Sequence, residues 1–215
     1  MKRSQICTSF VGIFKSPLSW IPNLDNQFCR DLFGKPYDTI NGMTPEGYTI
    51  AINNKPFPMV IINPEKLIVK GENIEALAGY TESLIREFIR ELEKCGLSKI
   101  GFSAYGINGE YQWLELPTNA DIWICEHFMK DSIFNSHEYH VCNNLNFRIN
   151  YGETQYLNVD IAPRVGIRDG LYANINHHHN HIIDVFPETA DFLKLIEESE
   201  KIVEDNIILR LIENH

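Results

Sequence analysis

The stretch FPMVIINPEKLIVKGENIEALAGYTESLIREFIRELEKCG, residues 57–96, decides the fold. It opens with two short apolar runs, Phe57 to Ile62 and Lys66 to Val69, separated by Asn63-Pro64-Glu65. Short runs rich in Val and Ile, interrupted by a proline that cannot continue a ladder, read as strands. The period then changes. Asn73 offers an N-cap, and Ile74, Leu77, Leu84, Ile85, Phe88, Ile89 and Leu92 recur at helical spacing until Cys95-Gly96 stops them. Consecutive strands followed by one long amphipathic helix predict an α+β fold with a mostly antiparallel sheet.

Working outward, Tyr48 to Ile52 pairs with the 57–62 run through Asn53-Asn54-Lys55-Pro56, which is turn chemistry for a hairpin. Ile6 to Phe14 reads as a first strand, followed by a loop-rich but apolar stretch broken by Pro17, Pro22, Gly34 and Pro36, with a short helix from Leu24 to Phe33. Downstream, Lys99 to Tyr105 and Tyr111 to Leu116 read as a hairpin around Gly106-Ile107-Asn108-Gly109, and Asn119 caps a helix through about Met129. Strands follow at Leu145 to Asn150, Gln155 to Ile161, with a break at Pro163, and Leu171 to Ile175. A helix from about Glu188 to Ile212 closes the chain, with Phe192, Leu195, Ile196, Val203, Ile207 and Leu211 on one face. Strands come in groups and do not alternate with helices, so a doubly wound parallel sheet is disfavoured. The two main helices, 73–95 and 188–212, are expected on one face of the sheet.

Val60-Ile61-Ile62-Asn63-Pro64-Glu65 and Val159-Asp160-Ile161-Ala162-Pro163-Arg164 occupy the same point of the same plan: hairpin, proline break, strand, helix. The chain is therefore read as one domain, 1–215, with an internal duplication into similar halves at about 6–130 and 140–213. The segment from Phe57 through the Asn73 to Cys95 helix, with Leu145 to Asn150 leading to Ile182-Ile183-Asp184-Val185-Phe186, resembles a sporadically distributed prokaryotic family of uncharacterised proteins. The first strand lacks the paired prolines of that family, and the resemblance implies no activity.

At 215 residues the chain is long enough to bury a sizeable core. Hydrophobic residues at 44% and charged residues at 22% are the composition of an ordinary globular protein. A net charge of -10 and a pI near 5.2 disfavour nucleic acid, whose binding is driven by cations that displace phosphate counterions. Met1-Lys2-Arg3 is basic, but no apolar run follows it as in a secretory signal, and no apolar stretch is long enough to span a bilayer. Cys7, Cys29, Cys95, Cys125 and Cys142 are odd in number and lack a CxxC pair, which fits reduced thiols and a cytoplasmic location. Cys29, between Phe28 and Arg30, has the most polar surroundings of the five.

The most conspicuous constellation is His177-His178-His179-Asn180-His181 with Asp184 behind it, since imidazoles are common transition-metal ligands. On a strand, 177, 179 and 181 share a face, but same-face neighbours stand about 7 Å apart, so one ion at about 2 Å from each nitrogen requires a bend. A second cluster, His137 to Cys142, offers His140 and Cys142 on one strand face. There is no GxSxG elbow and no P-loop, and the carboxylates Glu65, Glu110, Glu115, Asp160 and Asp184 form no pair assignable from spacing. Trp20, Trp113, Trp123, Tyr105 and Tyr111 read as core and sheet packing.

These observations favour a non-enzymatic protein-binding or assembly module, self-associating through a sheet edge or the C-terminal helix, with no cofactor, nucleic acid or membrane partner. One alternative is a metal-dependent hydrolase that holds a divalent transition metal such as zinc on His177, His179, His181, Asp184 and His140. Another is a chaperone-like binder of unfolded chains, which requires a large exposed apolar patch.

Overall fold

A computed structural model describes residues 1–18, 38–44, 47–53, 59–94, 101–129 and 141–213. The expected helix at 24–33, Trp20, Cys29, Cys95 and the His137–His140 cluster lie outside the described residues. The elements are β1 (Lys2–Phe14), β2 (Asp38–Thr44), β3 (Gly47–Asn53), β4 (Met59–Ile62), β5 (Lys66–Gly71), α1 (Ile74–Lys94), β6 (Phe102–Leu114), α2 (Ala120–Phe128), β7 (Leu145–Asn150), β8 (Gln155–Pro163), β9 (Leu171–His179) and α3 (Thr189–Val203). The last helix continues as a π-helical segment, Glu204–Glu213. The fold is α+β with an antiparallel open sheet, as the grouped strands predicted. Among the described residues, no helix is long and apolar enough to cross a membrane.

The chain divides into two compact units, each assembled from separate segments. One comprises Cys7–Ile107 and His178–Glu200. Its strand order is β2-β3-β4-β5-β1-β6, and in the β1–β5 register Phe10 lies opposite Val69. Every second residue of β4 and β5 is buried: Val60, Ile62, Leu67 and Val69. Leu77, Leu84 and Ile85 of α1 complete the layer. The Asn73 cap forms as expected, its Oδ1 accepting the Ala76 N–H at 2.8 Å. Phe10 is the hub of this core. Its ring stands edge-on to Phe102 at 5.6 Å and to Phe192 at 5.3 Å, the arrangement that ring quadrupoles favour.

The other unit comprises Met1–Ile6, Asn108–His177 and Lys201–His215, with strand order β6-β9-β8-β7. Leu157, Val159 and Ile161 of β8 and Leu171, Ala173 and Ile175 of β9 alternate inward around Trp113. Trp113 is fully buried, and its indole Nε1 donates to Glu213 Oε1 at 2.9 Å, so the ring carries no unmet donor. Arg3 reaches Glu204 at 2.8 Å and Glu213 at 3.4 Å. Asn206 Nδ2 donates to the Ile202 carbonyl at 2.9 Å, close to the point where α geometry gives way to the wider π segment. A side chain competing for a helical carbonyl is an ordinary cause of such a change.

Several sequence expectations are corrected. The hairpin placed at Gly106–Gly109 does not exist; β6 runs unbroken through it. Tyr105, Ile107, Tyr111 and Trp113 keep one inward row at period two, and Gly109 occupies that row because a Cβ there would lie 2.5 Å from the Tyr111 ring. That glycine serves close approach, not a turn. β1 begins at Lys2, β8 includes Pro163, and β9 continues beyond Ile175 to His179. The Asn119 side chain makes no capping hydrogen bond to α2; Asp121 instead accepts the Ile122 N–H through Oδ1 at 2.9 Å. Cys142 lies on no strand: its N–H donates to the Asp121 carbonyl and its thiol to the Asn144 carbonyl.

Phe10→Ala is expected to lower stability by about 3–5 kcal/mol, the range for deleting a fully buried aromatic side chain. Urea denaturation followed by circular dichroism measures it, and a loss below about 1 kcal/mol would remove Phe10 from the centre of this core.

Candidate functional site

β9 buries every second residue from Leu171 to His179, so the two histidines on that phase are carried inward by the strand itself. His177 is 1% exposed and meets the Tyr151 ring edge-on at 6.4 Å. His179 is 8% exposed and lies face to face with Tyr105, with ring centroids 4.5 Å apart and an interplanar angle of 9°. His178, on the opposite face, donates from Nε2 to Asn180 Oδ1 at 3.0 Å. His181 is beyond the strand end and exposed. The Asp184 carboxylate accepts the Lys15 ammonium at 2.7 Å. His140 lies outside the described residues.

Of the sequence-nominated ligands, then, His177 and His179 share one strand face, while His181 and Asp184 sit on the irregular segment that follows. Among the described residues, no group of three or more His, Cys, Asp or Glu side chains is placed to hold a metal ion. Each of the two inward imidazoles contacts an aromatic ring, His179 face to face with Tyr105 and His177 edge-on to Tyr151. Burial pushes the Tyr105 phenol up to about 12, with the Glu198 charge adding to the effect.

β7 forms one end of the strand order, and among the described residues no strand pairs with its outer side. Its inner side pairs with β8, Phe147 opposite Val159. The Tyr151 N–H donates to the Gln155 carbonyl at 2.8 Å, which fixes the phase of the ladder. Hydrogen-bonding pairs alternate in antiparallel strands, so Ile149, Phe147 and Leu145 turn their main-chain groups toward β8, and Asn150, Arg148 and Asn146 turn theirs outward. Side chains follow the same alternation: Leu145, Phe147 and Ile149 are half-buried against the core beneath, and Asn146, Arg148 and Asn150 are exposed. Arg148 is held flat, its guanidinium 4.0 Å over the Tyr156 ring and its Nε donating to Asn158.

The β8–β9 connection, Arg164 to Gly170, is a double turn that sequence reasoning passed over. Arg164 N–H donates to the Gly170 carbonyl at 2.7 Å, Ile167 N–H to the Arg164 carbonyl, and Gly170 N–H to the Ile167 carbonyl. Gly166 has φ +80, a conformation glycine adopts without strain. The turn is anchored to the segment entering α2: the Arg168 carbonyl accepts the Ala120 N–H, and the Asp169 carbonyl accepts the Leu116 N–H. Between them lies a cavity of about 610 Å³ lined by Asn119, Asp121, Asn143, Arg164, Ile167 and Arg168, among others. The available signal was the spacing Arg164-Val165-Gly166-Ile167-Arg168-Asp169-Gly170, basic residues alternating with turn glycines.

The chain matches no family model and no curated protein sequence.

Two outcomes follow from the histidine strand. His179→Ala is expected to cost about 1–3 kcal/mol of stability, measured by denaturant unfolding, because it removes a buried ring from a stacked pair. The Tyr105 phenol titrates near its ordinary value when unfolded and higher when folded, so the unfolded state loses its proton first as pH rises. Stability should therefore fall between about pH 10 and 12, and this part of the fall should vanish in Tyr105→Phe. A variant with an unchanged alkaline stability profile would contradict that assignment.

Proposed function

We propose that the protein is a non-enzymatic assembly module that pairs with a second copy of itself through the outer edge of β7. The observation that carries this reading is the phase of that edge. With a two-fold axis at Phe147, Asn146 of one copy would sit opposite Arg148 of the other as a hydrogen-bonded pair, and Phe147 would face its own counterpart as a non-hydrogen-bonded pair. Leu145 would then meet Ile149, and the half-buried apolar row would continue across the junction without a break.

Neighbouring registers serve less well. An axis at Arg148 sets the two guanidiniums opposite one another, and like charges directly opposed are destabilising. A shift by one residue against the partner places apolar side chains opposite polar ones. The edge also carries little of the protection that natural sheets use against pairing: it has no proline, no bulge and a single charge, Arg148, folded down on Tyr156.

Sedimentation equilibrium tests the reading. The native protein should dimerise, and Asn146→Pro, which removes an outward N–H while leaving the β8 ladder intact, should weaken dimerisation at least about tenfold with an unchanged circular dichroism spectrum. A native protein that stays monomeric at about 100 µM, or a variant that dimerises as well as native, would sink it.

A further inference from the structure

We infer that the cavity between the Arg164–Gly170 double turn and the start of α2 is a binding site for a small polyhydroxylated oxyanion, a sugar phosphate or sugar carboxylate. The first support is an electrostatic imbalance. Among the described residues, Arg164 and Arg168 line the cavity against one carboxylate, Asp121, so this lining is net positive in a chain whose formal charge is -10. Asp121 is already engaged through Oδ1 with the Ile122 N–H, which ties it to the helix.

The second support is the fit of the guanidinium to an oxyanion: a carboxylate or phosphate matches the planar fork of arginine better than any neutral group.

The remaining lining sets the class of ligand. The Asn119 side chain makes no capping bond to α2, which leaves its amide available to the cavity, and Asn143 adds a second amide. Each amide both donates and accepts, as a hydroxyl does, and Asp121 Oδ2 accepts from a hydroxyl. Ile167 and Pro163 supply an apolar wall. A volume of about 610 Å³ lies within the usual range for small-molecule sites and exceeds what a bare inorganic anion needs. The double turn is built to hold this arrangement: a Cβ on Gly170 would approach Ile167 to 2.8 Å and Arg164 Cβ to 3.2 Å, so the turn closes tightly only with glycine there.

Isothermal titration calorimetry of the full chain provides the test, using glucose phosphorylated at its primary hydroxyl, gluconate, and glucose as the uncharged control. The expected result is millimolar or tighter binding of the phosphate, the carboxylate or both, none of glucose, and affinity reduced at least about tenfold in Arg164→Gln and in Arg168→Gln. Binding of the phosphate alone assigns the site to phosphate esters, and binding of gluconate alone assigns it to carboxylates. Arg168 is exposed, so Arg168→Gln keeps the test intact should Arg164→Gln fold poorly. Failure of both charged probes at about 10 mM, or equal affinity in native protein and both variants, overturns the inference.

Discussion

The constraint on which the rest depends is period-two burial along the strands. A strand that packs one face on a core commits every second residue to the interior, whatever that residue is. On β4 and β8 the committed residues are aliphatic, and nothing further is required of them. On β9 the same row runs Leu171, Ala173, Ile175, His177 and His179, so two imidazoles are taken inside with their apolar neighbours. Tyr151 and Tyr105 supply the aromatic surfaces against which those rings lie. On β6 the row includes Gly109, which leaves room for the Tyr111 ring.

This explains what was legible in the sequence and what was not. Elements whose apolar period was clear, β4, β5 and α1, could be placed closely, and so could the antiparallel α+β class. Glycine and asparagine misled where packing outweighed turn propensity. Gly106-Ile107-Asn108-Gly109 has hairpin chemistry but lies mid-strand, and Asn41-Gly42 lies within β2, a strand the sequence reading did not include. The histidine run drew attention for its composition, yet the side chains it suggested as one group are divided between a strand row and the segment beyond it. Arg164 and Arg168 drew little, because a four-residue spacing across a turn acquires meaning only once hydrogen bonds fold that turn against the start of α2.

The edge of β7 and the cavity are features of different kinds. The edge follows from strand order, which no local pattern encodes, together with an alternation of Leu145, Phe147 and Ile149 that is plain in the sequence. The proposed pairing needs no new side-chain chemistry; it repeats, between copies, the ladder already present between β7 and β8. The cavity depends on specific side chains: Arg164 and Arg168 set against Asp121, and an N-cap asparagine that does not cap.

Amide hydrogen exchange at single-residue resolution, measured across a range of protein concentrations, tests the proposed assembly most directly. Pairing at β7 predicts that the outward amides of Asn146 and Arg148 become more protected as concentration rises, while Phe147, already bonded to β8, changes little. Exchange at Asn146 and Arg148 that is independent of concentration would contradict the account.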